Sequence, residues 1–326
     1  MSGPGARGPL LVLAAATLWG TAGAAQELGP PEAWPPAVAA LRSLLGGALL
    51  SGAVLLWRGR AVVVDTARRA PGPLAVAAVA MTAFQGGYFT GIRLSGVAVG
   101  TLVAIGSAPV WAGLLEALAG RRPGLRWLVA TAVTVSGTAL LVLGGGPDAA
   151  SGVDLFGVGA SLTAGAAYAT YAVASKRLVE RGVDGTSGMA LAFAASGLLL
   201  APALLPQSIG WAVTPRGLVM IVWLSIFTIA AAYTLFAAGL RTVDAPTATT
   251  LTLAEPLTAT ALAVLVVGER LSAAAVVGAV LVTVGLGLAG RRRANERQST
   301  AGSSPEPPPD GTADEATTRG RIAPER

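Results

Sequence analysis

The chain has 326 residues, of which 53% are hydrophobic and only 12% are charged, and its formal net charge is +6. A soluble domain carries about 25% charged residues, so this composition excludes an ordinary water-soluble protein and indicates solvation by lipid. The basic residues stand at the ends of apolar runs, which argues against nucleic-acid binding, and the absence of cysteine and histidine excludes disulfides and removes the commonest metal ligand.

Ten apolar runs follow one another along the chain, each close to the ~20 residues that a helix needs to cross a bilayer. Prolines, glycines and arginines mark their ends, and they lack the two-residue alternation of a barrel strand. The runs cover residues 9–28, 37–57, 73–94, 97–119, 125–144, 154–175, 186–205, 217–240, 245–267 and 271–290. We therefore predict an all-α integral membrane protein with ten transmembrane helices.

The first run has to be distinguished from a secretory signal peptide. Ala22-Gly23-Ala24 resembles a cleavage site, but Arg7 is the only basic residue before the run. The apolar stretch is also longer than the ~7–15 residues of a signal-peptide core. We expect the run to be retained as the first span.

Arginine and lysine are distributed unevenly between the loops. If the N-terminus is cytoplasmic, the segments on that side hold 15 of them up to Arg293, and the opposite side holds only Arg93, Arg216 and Arg270. Because positive residues concentrate on the cytoplasmic side, this bias predicts a cell-membrane protein with both termini in the cytoplasm. Residues 1–8 are then a cytoplasmic N-terminus, and the polar residues 291–326 are a disordered cytoplasmic tail.

The two halves of the chain echo each other. Ser107-Ala108-Pro109-Val110 in the fourth run corresponds to Ala254-Glu255-Pro256-Leu257 in the ninth, and the two prolines are 147 residues apart. Each half holds five runs, and because five is an odd number, the halves must enter the membrane from opposite sides. This arrangement predicts two inverted five-helix repeats, over residues 9–144 and 154–290.

Several motifs carry a resemblance to a known family. They are Leu18-Trp19-Gly20, Arg42, Pro109, Leu253-Ala254-Glu255-Pro256-Leu257 and Gly268-Glu269-Arg270-Leu271. Over about residues 9 to 290 the chain resembles the EamA branch of the drug/metabolite transporter superfamily. The resemblance implies a carrier of ten helices that moves small organic metabolites, often amino acids, usually outward. The first half departs from the pattern, because Ala108 replaces the glutamate and Gly120-Arg121-Arg122 stands where the family often has Gly-Glu-Arg.

Glu255 and Pro256 interrupt the middle of an apolar run. A mid-span acid costs roughly 2.5–3.5 kcal/mol to insert, so Glu255 is expected to face the bundle interior or a wet cavity. There it binds a cationic part of the substrate, carries a proton, or, as a protonated group, stabilises the bundle. Pro256 and Pro109 each leave a carbonyl four residues back without its donor, so as a matched pair they predict helix breaks that gate a transport site. For either proline alone, the alternative is a tolerated kink that neighbouring threonines satisfy.

Other polar side chains also lie within the apolar runs. Arg42 could anchor the second run, pair with Glu27 or Glu32, or contact substrate. Thr252 lies one turn before Glu255 on approximately the same face. Six polar-tipped side chains near mid-depth could line a cavity for a partly apolar solute, or could be packed and satisfied. They are Trp19, Gln85, Tyr88, Tyr168, Tyr171 and Tyr233.

These features predict a secondary transporter that exports amino acids or related metabolites by alternating access. A carrier for drugs or other amphipathic compounds and a non-transporting scaffold are the alternatives. Because the sequence has no paired mid-span carboxylates and no phosphate-binding loop, we do not expect an enzyme. We also expect no catalytic residue, no metal and no cofactor. The expected partners are the solute, the lipid bilayer and, on one interpretation of Glu255, a proton. The sequence does not specify the oligomeric state. Near the cytoplasmic rim, Glu116 is expected to pair with Arg121.

Overall fold

A computed structural model describes residues 7–95, 97–143, 154–206, 208–262, 264–265 and 272–290. These residues form thirteen α-helices and no strand. The helices are α1 (Arg7–Glu27), α2 (Pro35–Arg58), α3 (Arg60–Arg69), α4 (Pro71–Ser95), α5 (Val97–Leu118), α6 (Leu125–Leu143), α7 (Leu155–Glu180), α8 (Gly185–Leu200), α9 (Pro215–Ser225), α10 (Ala232–Leu240), α11 (Ala245–Leu251), α12 (Ala254–Leu262) and α13 (Ala273–Gly290). The predicted tail and the Gly-Glu-Arg motif at 268–270 lie outside the described residues.

Seven helical stretches within the described residues are long and apolar enough to cross a membrane. They are Arg7–Gln26, Pro35–Arg58, Pro71–Ile92, Val99–Leu118, Leu125–Leu143, Gly185–Leu204 and Pro215–Leu240, and a shorter apolar helix covers Ala273–Ala289. Large apolar side chains project from the outer faces of these helices, among them Leu198, Val219 and Val280. An apolar surface of that extent is stable in lipid and not in water.

Three of the predicted runs depart from a single α-helix, and one helix lies outside every predicted run. The eighth run divides into α9, a π-helical turn over Ile226–Ala231, and α10. The ninth run divides into α11 and α12, and the seventh ends in a 3₁₀ turn, Ala201–Leu204. The extra helix, α3, occupies the loop between the second and third runs. It is only 10 residues long, with three valines between terminal arginines, so it has no run of membrane-spanning length.

The helices of the two halves pack on each other reciprocally. In the first half, α1 contacts α10 and α12, and in the second half its counterpart α7 contacts α4 and α5. Two further pairs, α2 with α8 and α6 with α13, join equivalent helices. This exchange of partners is the pattern that two copies of one repeat produce when they pack on each other, and it agrees with a two-repeat fold.

Glycines let the backbones of these partners approach closely. A Cβ atom added at Gly20 of α1 would lie 2.7 Å from the carbonyl oxygen of Glu255, at the start of α12. A Cβ atom added at Gly165 of α7 would lie 2.7 Å from the carbonyl oxygen of Ala104 in α5. The same kind of contact thus forms in both halves, because only a residue without a side chain fits between the two backbones.

Candidate functional site

A central cavity of about 610 Å³ enters the bundle at the end where α1 stops and α2 starts. We call this end the open end, and the opposite end, where α2 and α7 stop, the closed end. Gly23, Gln26, Pro30 and Arg216 are among the residues around the mouth. Farther inside, the wall includes six of the residues predicted from the sequence, which are Trp19, Arg42, Tyr88, Tyr168, Tyr233 and Glu255.

Aromatic rings form one continuous part of this wall. The ring centroid of Trp19 lies 4.8 Å from that of Tyr233 and 6.4 Å from that of Tyr168. The indole Nε1 of Trp19 donates a hydrogen bond of 2.9 Å to the carbonyl oxygen of Thr228, in the π-helical turn. The indole is therefore held by both packing and a buried hydrogen bond, and the wall presents fixed apolar faces with polar tips.

The guanidinium of Arg42 is held on the wall by a short chain of hydrogen bonds. Its Nη2 donates to Oε1 of Gln85 at 3.0 Å, and Nε2 of Gln85 donates to Oγ of Ser43 at 3.0 Å. Gln85 is itself 1% exposed, so it supports the cavity from behind the wall. Nε of Arg42 is buried and has no hydrogen-bond partner among the described residues. Arg42 is thus aimed into the bundle, and not at Glu32 on the outer rim.

Glu255 lies in the first turn of α12, where the helix restarts after the break. It shares the cavity with Arg42, and the two charges interact electrostatically. No direct ion pair joins these two side chains, both of which the structure describes. Thr252, in contrast, is 1% exposed, and its hydroxyl donates to the carbonyl oxygen of Thr249 at 2.8 Å. Thr252 therefore lies behind the wall, and the cavity has a cationic and an acidic group facing a common space.

The two prolines differ from the expectation of matched breaks. Helix α5 passes through Pro109 without interruption, whereas the second half breaks between α11 and α12, and Pro256 is the third residue of the restarted helix. The carbonyl oxygen of Thr252, expected to be free, accepts the amide of Glu255 at 2.9 Å. Pro109 has no amide hydrogen to donate to the carbonyl oxygen of Ile105, and Ile105 lines the cavity as expected for a functional break.

Threonine hydroxyls bond to backbone carbonyls beside the break in the second half, as they also do within the unbroken helix α6. In α11 the hydroxyls of Thr249 and Thr250 donate to the carbonyl oxygen of Pro246, each at 2.9 Å. The Thr252 hydroxyl donates within the same segment. Such side-chain bonds compete with the amide donors of a helix. Helix α5 has only the long 3.4 Å bond from Ser107 to Ala104 near its proline.

The closed end is sealed by aromatic packing. Below the cavity, Tyr171, Phe193 and Phe236 are almost completely buried. The ring centroids of Phe193 and Tyr233 lie 4.3 Å apart, so this layer is continuous with the cavity floor. Tyr171 therefore belongs to the seal and not to the cavity wall.

Charged side chains tie the helices together below that layer. Nε of Arg121 lies 2.7 Å from Oε2 of Glu116, which confirms the predicted rim ion pair, and Nη1 lies 3.5 Å from Oε2 of Glu180. The Glu116 carboxylate raises the pKa of Arg121 above its usual value. Arg58 pairs with Asp184. Two of these pairs, Arg121–Glu180 and Arg58–Asp184, connect one half of the chain to the other.

Sequence reasoning missed several residues of the site. Phe84 lines the cavity, with its ring centroid 5.2 Å from that of Tyr168. Its position four residues before Tyr88 places the two rings on one helix face, a signal that was available. Phe193 and Ser43 gave no such signal, because their roles depend on contacts between distant helices.

An all-helical bundle with apolar outer faces, built from two halves around a half-polar cavity, defines a multi-pass membrane protein. The model of the EamA-like transporter family matches the chain twice, at residues 6–143 and 155–291. The chain therefore belongs to the EamA-like transporter family, and it is a membrane transporter.

Relatives and a solved structure agree with this assignment. "Uncharacterized transporter YwfM" of Bacillus subtilis (strain 168) is 41% identical over 280 residues, which cover 85% of this chain and 91% of that protein. "Uncharacterized inner membrane transporter YicL" of Salmonella typhimurium is 26% identical over 88% of this chain and 97% of its own length. A crystal structure of another protein matches 90% of this chain and 98% of its own with a TM-score of 0.70, and at 23% identity this likeness shows the fold alone.

Proposed function

We propose that the protein is a secondary transporter that exports small organic metabolites, amino acids or closely related compounds, by alternating access. The observation that carries this proposal is the central cavity, in which Arg42 and Glu255 face a common space between aromatic rings. Both charged side chains lie in a region that we take to be near the middle of the bilayer. A solute that neutralises both of them would offset part of the cost of holding them there.

The wall suits a zwitterion with an apolar side chain. A carboxylate can bind the Arg42 guanidinium through its Nε and Nη atoms, since Nη2 already has one partner in Gln85 and Nε has none among the described residues. An ammonium group can bind the Glu255 carboxylate. The aromatic faces of Trp19 and Tyr233 then contact the side chain of the solute. In the alternative mechanism, Glu255 carries a proton.

Alternating access is supported by the contrast between the two ends. The cavity opens at one end, and the ion pairs Arg121–Glu180 and Arg58–Asp184 join the two halves at the other. For the cavity to open at the closed end, those helix ends must separate and the pairs must break. The distribution of arginine and lysine between the loops favours a cytoplasmic closed end, and the proposed conformation is then outward-open.

The proposed architecture has ten spans, with both termini in the cytoplasm of the cell. Three spans are composite: α8 continues into a 3₁₀ turn, α9 and α10 are joined by the π-helical turn, and α11 is followed by α12. The first repeat covers residues 9–144 and the second covers residues 154–290. Residues 1–8 precede them, and residues 291–326 form a cytoplasmic tail. The odd number of spans in each repeat gives the two repeats opposite orientations.

A carrier for amphipathic cations is a second candidate. The aromatic rings around Glu255 favour it, because aromatic faces attract cations and apolar groups alike. The role of Arg42 separates the two candidates: a cation carrier has no use for a guanidinium on its wall, whereas a zwitterion carrier needs one.

Counterflow into liposomes containing the purified protein tests the proposal. Vesicles loaded with unlabelled phenylalanine are diluted into labelled phenylalanine, and three competitors are compared: phenylalanine itself, phenethylamine and 3-phenylpropionate. We expect saturable counterflow that only the zwitterion inhibits strongly. Equal inhibition by the amine would support the cation carrier. The absence of saturable flux for phenylalanine and for a panel of other amino acids would support a scaffold.

A further inference from the structure

A second cavity, of about 580 Å³, lies on the outer face of the bundle between α1 and α9. Ala24, Ala25 and Leu28 of α1 form one side, Val219 and Trp223 of α9 form the other, and Leu262 of α12 contributes to the wall. We call this cavity the lateral groove. It is separate from the aromatic wall of the central cavity, and the proposed contacts with the solute do not include it.

The lateral groove is open toward the surrounding lipid. Leu28 is 69% exposed and Val219 is 70% exposed, so the surface around the groove is apolar. The one polar group of Trp223 is already bonded, because its Nε1 donates to Oγ1 of Thr21 at 3.0 Å. The indole therefore presents only its apolar surface to an occupant. A hydrocarbon chain fits such a lining, and a polar solute does not.

One cationic side chain of the groove, Arg216, lies near the open end of the bundle. It follows Pro215, the first residue of α9, and it forms no ion pair with a carboxylate within the ranges that the structure describes. Arg216 and Trp223 are seven residues apart, which corresponds to about 10 Å along a helix. That is roughly a third of the hydrocarbon thickness, so Arg216 lies near the headgroups when Trp223 lies among the acyl chains.

We propose that the lateral groove binds an anionic phospholipid, whose phosphate contacts Arg216 and whose acyl chain passes Val219 and Trp223 between α1 and α9. The charge of Arg216 selects the anionic head, and the apolar lining of the groove selects the chain. Free phosphate shares the first contact and lacks the second. The occupant is therefore a lipid and not a soluble anion.

The position of the groove couples this lipid to the central cavity. Arg216 and Met220 line both cavities, so a lipid held in the groove lies at the mouth of the transport path. Met220 is almost completely buried between the two spaces, and its flexible thioether can adapt to an occupant on either side. The bound lipid would thus contact the part of the wall that a passing solute must also contact.

Quenching of Trp223 fluorescence by brominated lipids tests the proposal without any measurement of transport. The full chain is placed in nanodiscs of phosphatidylcholine that contain a minor fraction of either brominated phosphatidylglycerol or brominated phosphatidylcholine. The difference between wild-type and Trp223→Phe protein gives the Trp223 signal. We expect the brominated anionic lipid to quench this signal at least twofold more than the brominated zwitterionic lipid.

Three further arms distinguish a specific lipid site from nonselective lipid contact and from binding of free phosphate. Arg216→Gln should abolish the preference, whereas Arg126→Gln, which removes an exposed arginine at the start of α6 at the closed end, should keep it. Ala25→Phe should reduce quenching by filling the groove. Excess inorganic phosphate should leave the preference unchanged. Equal quenching by the two lipids, an unchanged preference in Arg216→Gln, or loss of the preference in phosphate would each overturn the proposal.

Discussion

The segments around Pro109 and Pro256 occupy equivalent places in the two halves, yet only one of them carries charge and a break. Helix α5 continues through Pro109, and Ala108 beside it is fully buried against the close approach of Gly165. In the second half the helix restarts beside Pro256, and Glu255 reaches the cavity. The comparison teaches that the repeated halves build the shape of the site and that one half alone provides its acid. A second mid-depth acid would add roughly 2.5–3.5 kcal/mol of insertion cost without a partner.

Removal of the charge of Glu255 should have the largest effect. A hydrogen bond to a charged group contributes about 1.5–3 kcal/mol, so Glu255→Gln should raise the apparent KM for a zwitterion roughly tenfold to a hundredfold. The pH dependence of counterflow should change as well. Ala108→Ser, at the equivalent place in the other half, is the matched control and should leave KM unchanged. If Glu255→Gln transports at the wild-type rate at every pH, Glu255 is not part of the transport site.

The two prolines should respond differently to the same substitution. Pro256→Ala restores an amide that competes with Glu255 for the carbonyl oxygen of Thr252, so the break should shorten and transport should slow several-fold. Pro109→Ala adds a donor inside a helix that is already continuous, and it should leave the rate unchanged. Counterflow rates at equal amounts of inserted protein check this difference. Equal slowing of both variants would show that the asymmetry has no functional meaning.

The matched glycine contacts should separate stability from binding. Gly20→Ala and Gly165→Ala each place a Cβ atom 2.7 Å from a backbone oxygen, so both should lower the free energy of unfolding by about 1–3 kcal/mol. Only Gly20→Ala should also raise the KM for the zwitterion, because Gly20 packs against Glu255. Thermal unfolding and counterflow together measure both quantities. A raised KM in Gly165→Ala as well would show that the effect of Gly20→Ala does not arise from its contact with Glu255.

The smallest effect is expected where the halves are joined at the closed end. Burial opposes ionisation of Asp184, but hydrogen bonds from Ser187 and the Arg58 guanidinium outweigh it, and its pKa lies below the usual value. This carboxylate therefore stabilises the fold above its pKa in the unfolded chain, and the contribution is lost as the pH falls through the folded-state pKa. Asp184→Asn should lower the melting temperature slightly at neutral pH and flatten its decline in acid. An unchanged acid profile would exclude Asp184 as a stabilising group.

The sequence predicted the helical class, the family and six of the residues that line the cavity. Apolar length is a property of a single segment, and the uneven distribution of arginine follows from the order of the segments along the chain, so both could be identified without the fold. The hydrogen bond from Trp19 to Thr228 spans 209 residues, and the position of Gln85 behind Arg42 depends on how α2 and α4 rotate against each other. No local pattern contains that information. Proline alone does not determine a break either, because α5 continues through Pro109 whereas the chain breaks between α11 and α12, before Pro256.

Cysteine labelling of the cavity tests the central claim most directly, because the chain has no cysteine of its own. Gly23 lines the cavity mouth and Gly72 lies at the closed end, and at both positions a Cβ atom would meet nothing within 4 Å. A membrane-impermeant maleimide should modify Gly23→Cys from one side of the membrane and Gly72→Cys from the other, and phenylalanine should slow only the modification of Gly23→Cys. Modification of both from the same side, or a Gly23→Cys rate that no amino acid changes, would contradict the proposal that this cavity is the transport site.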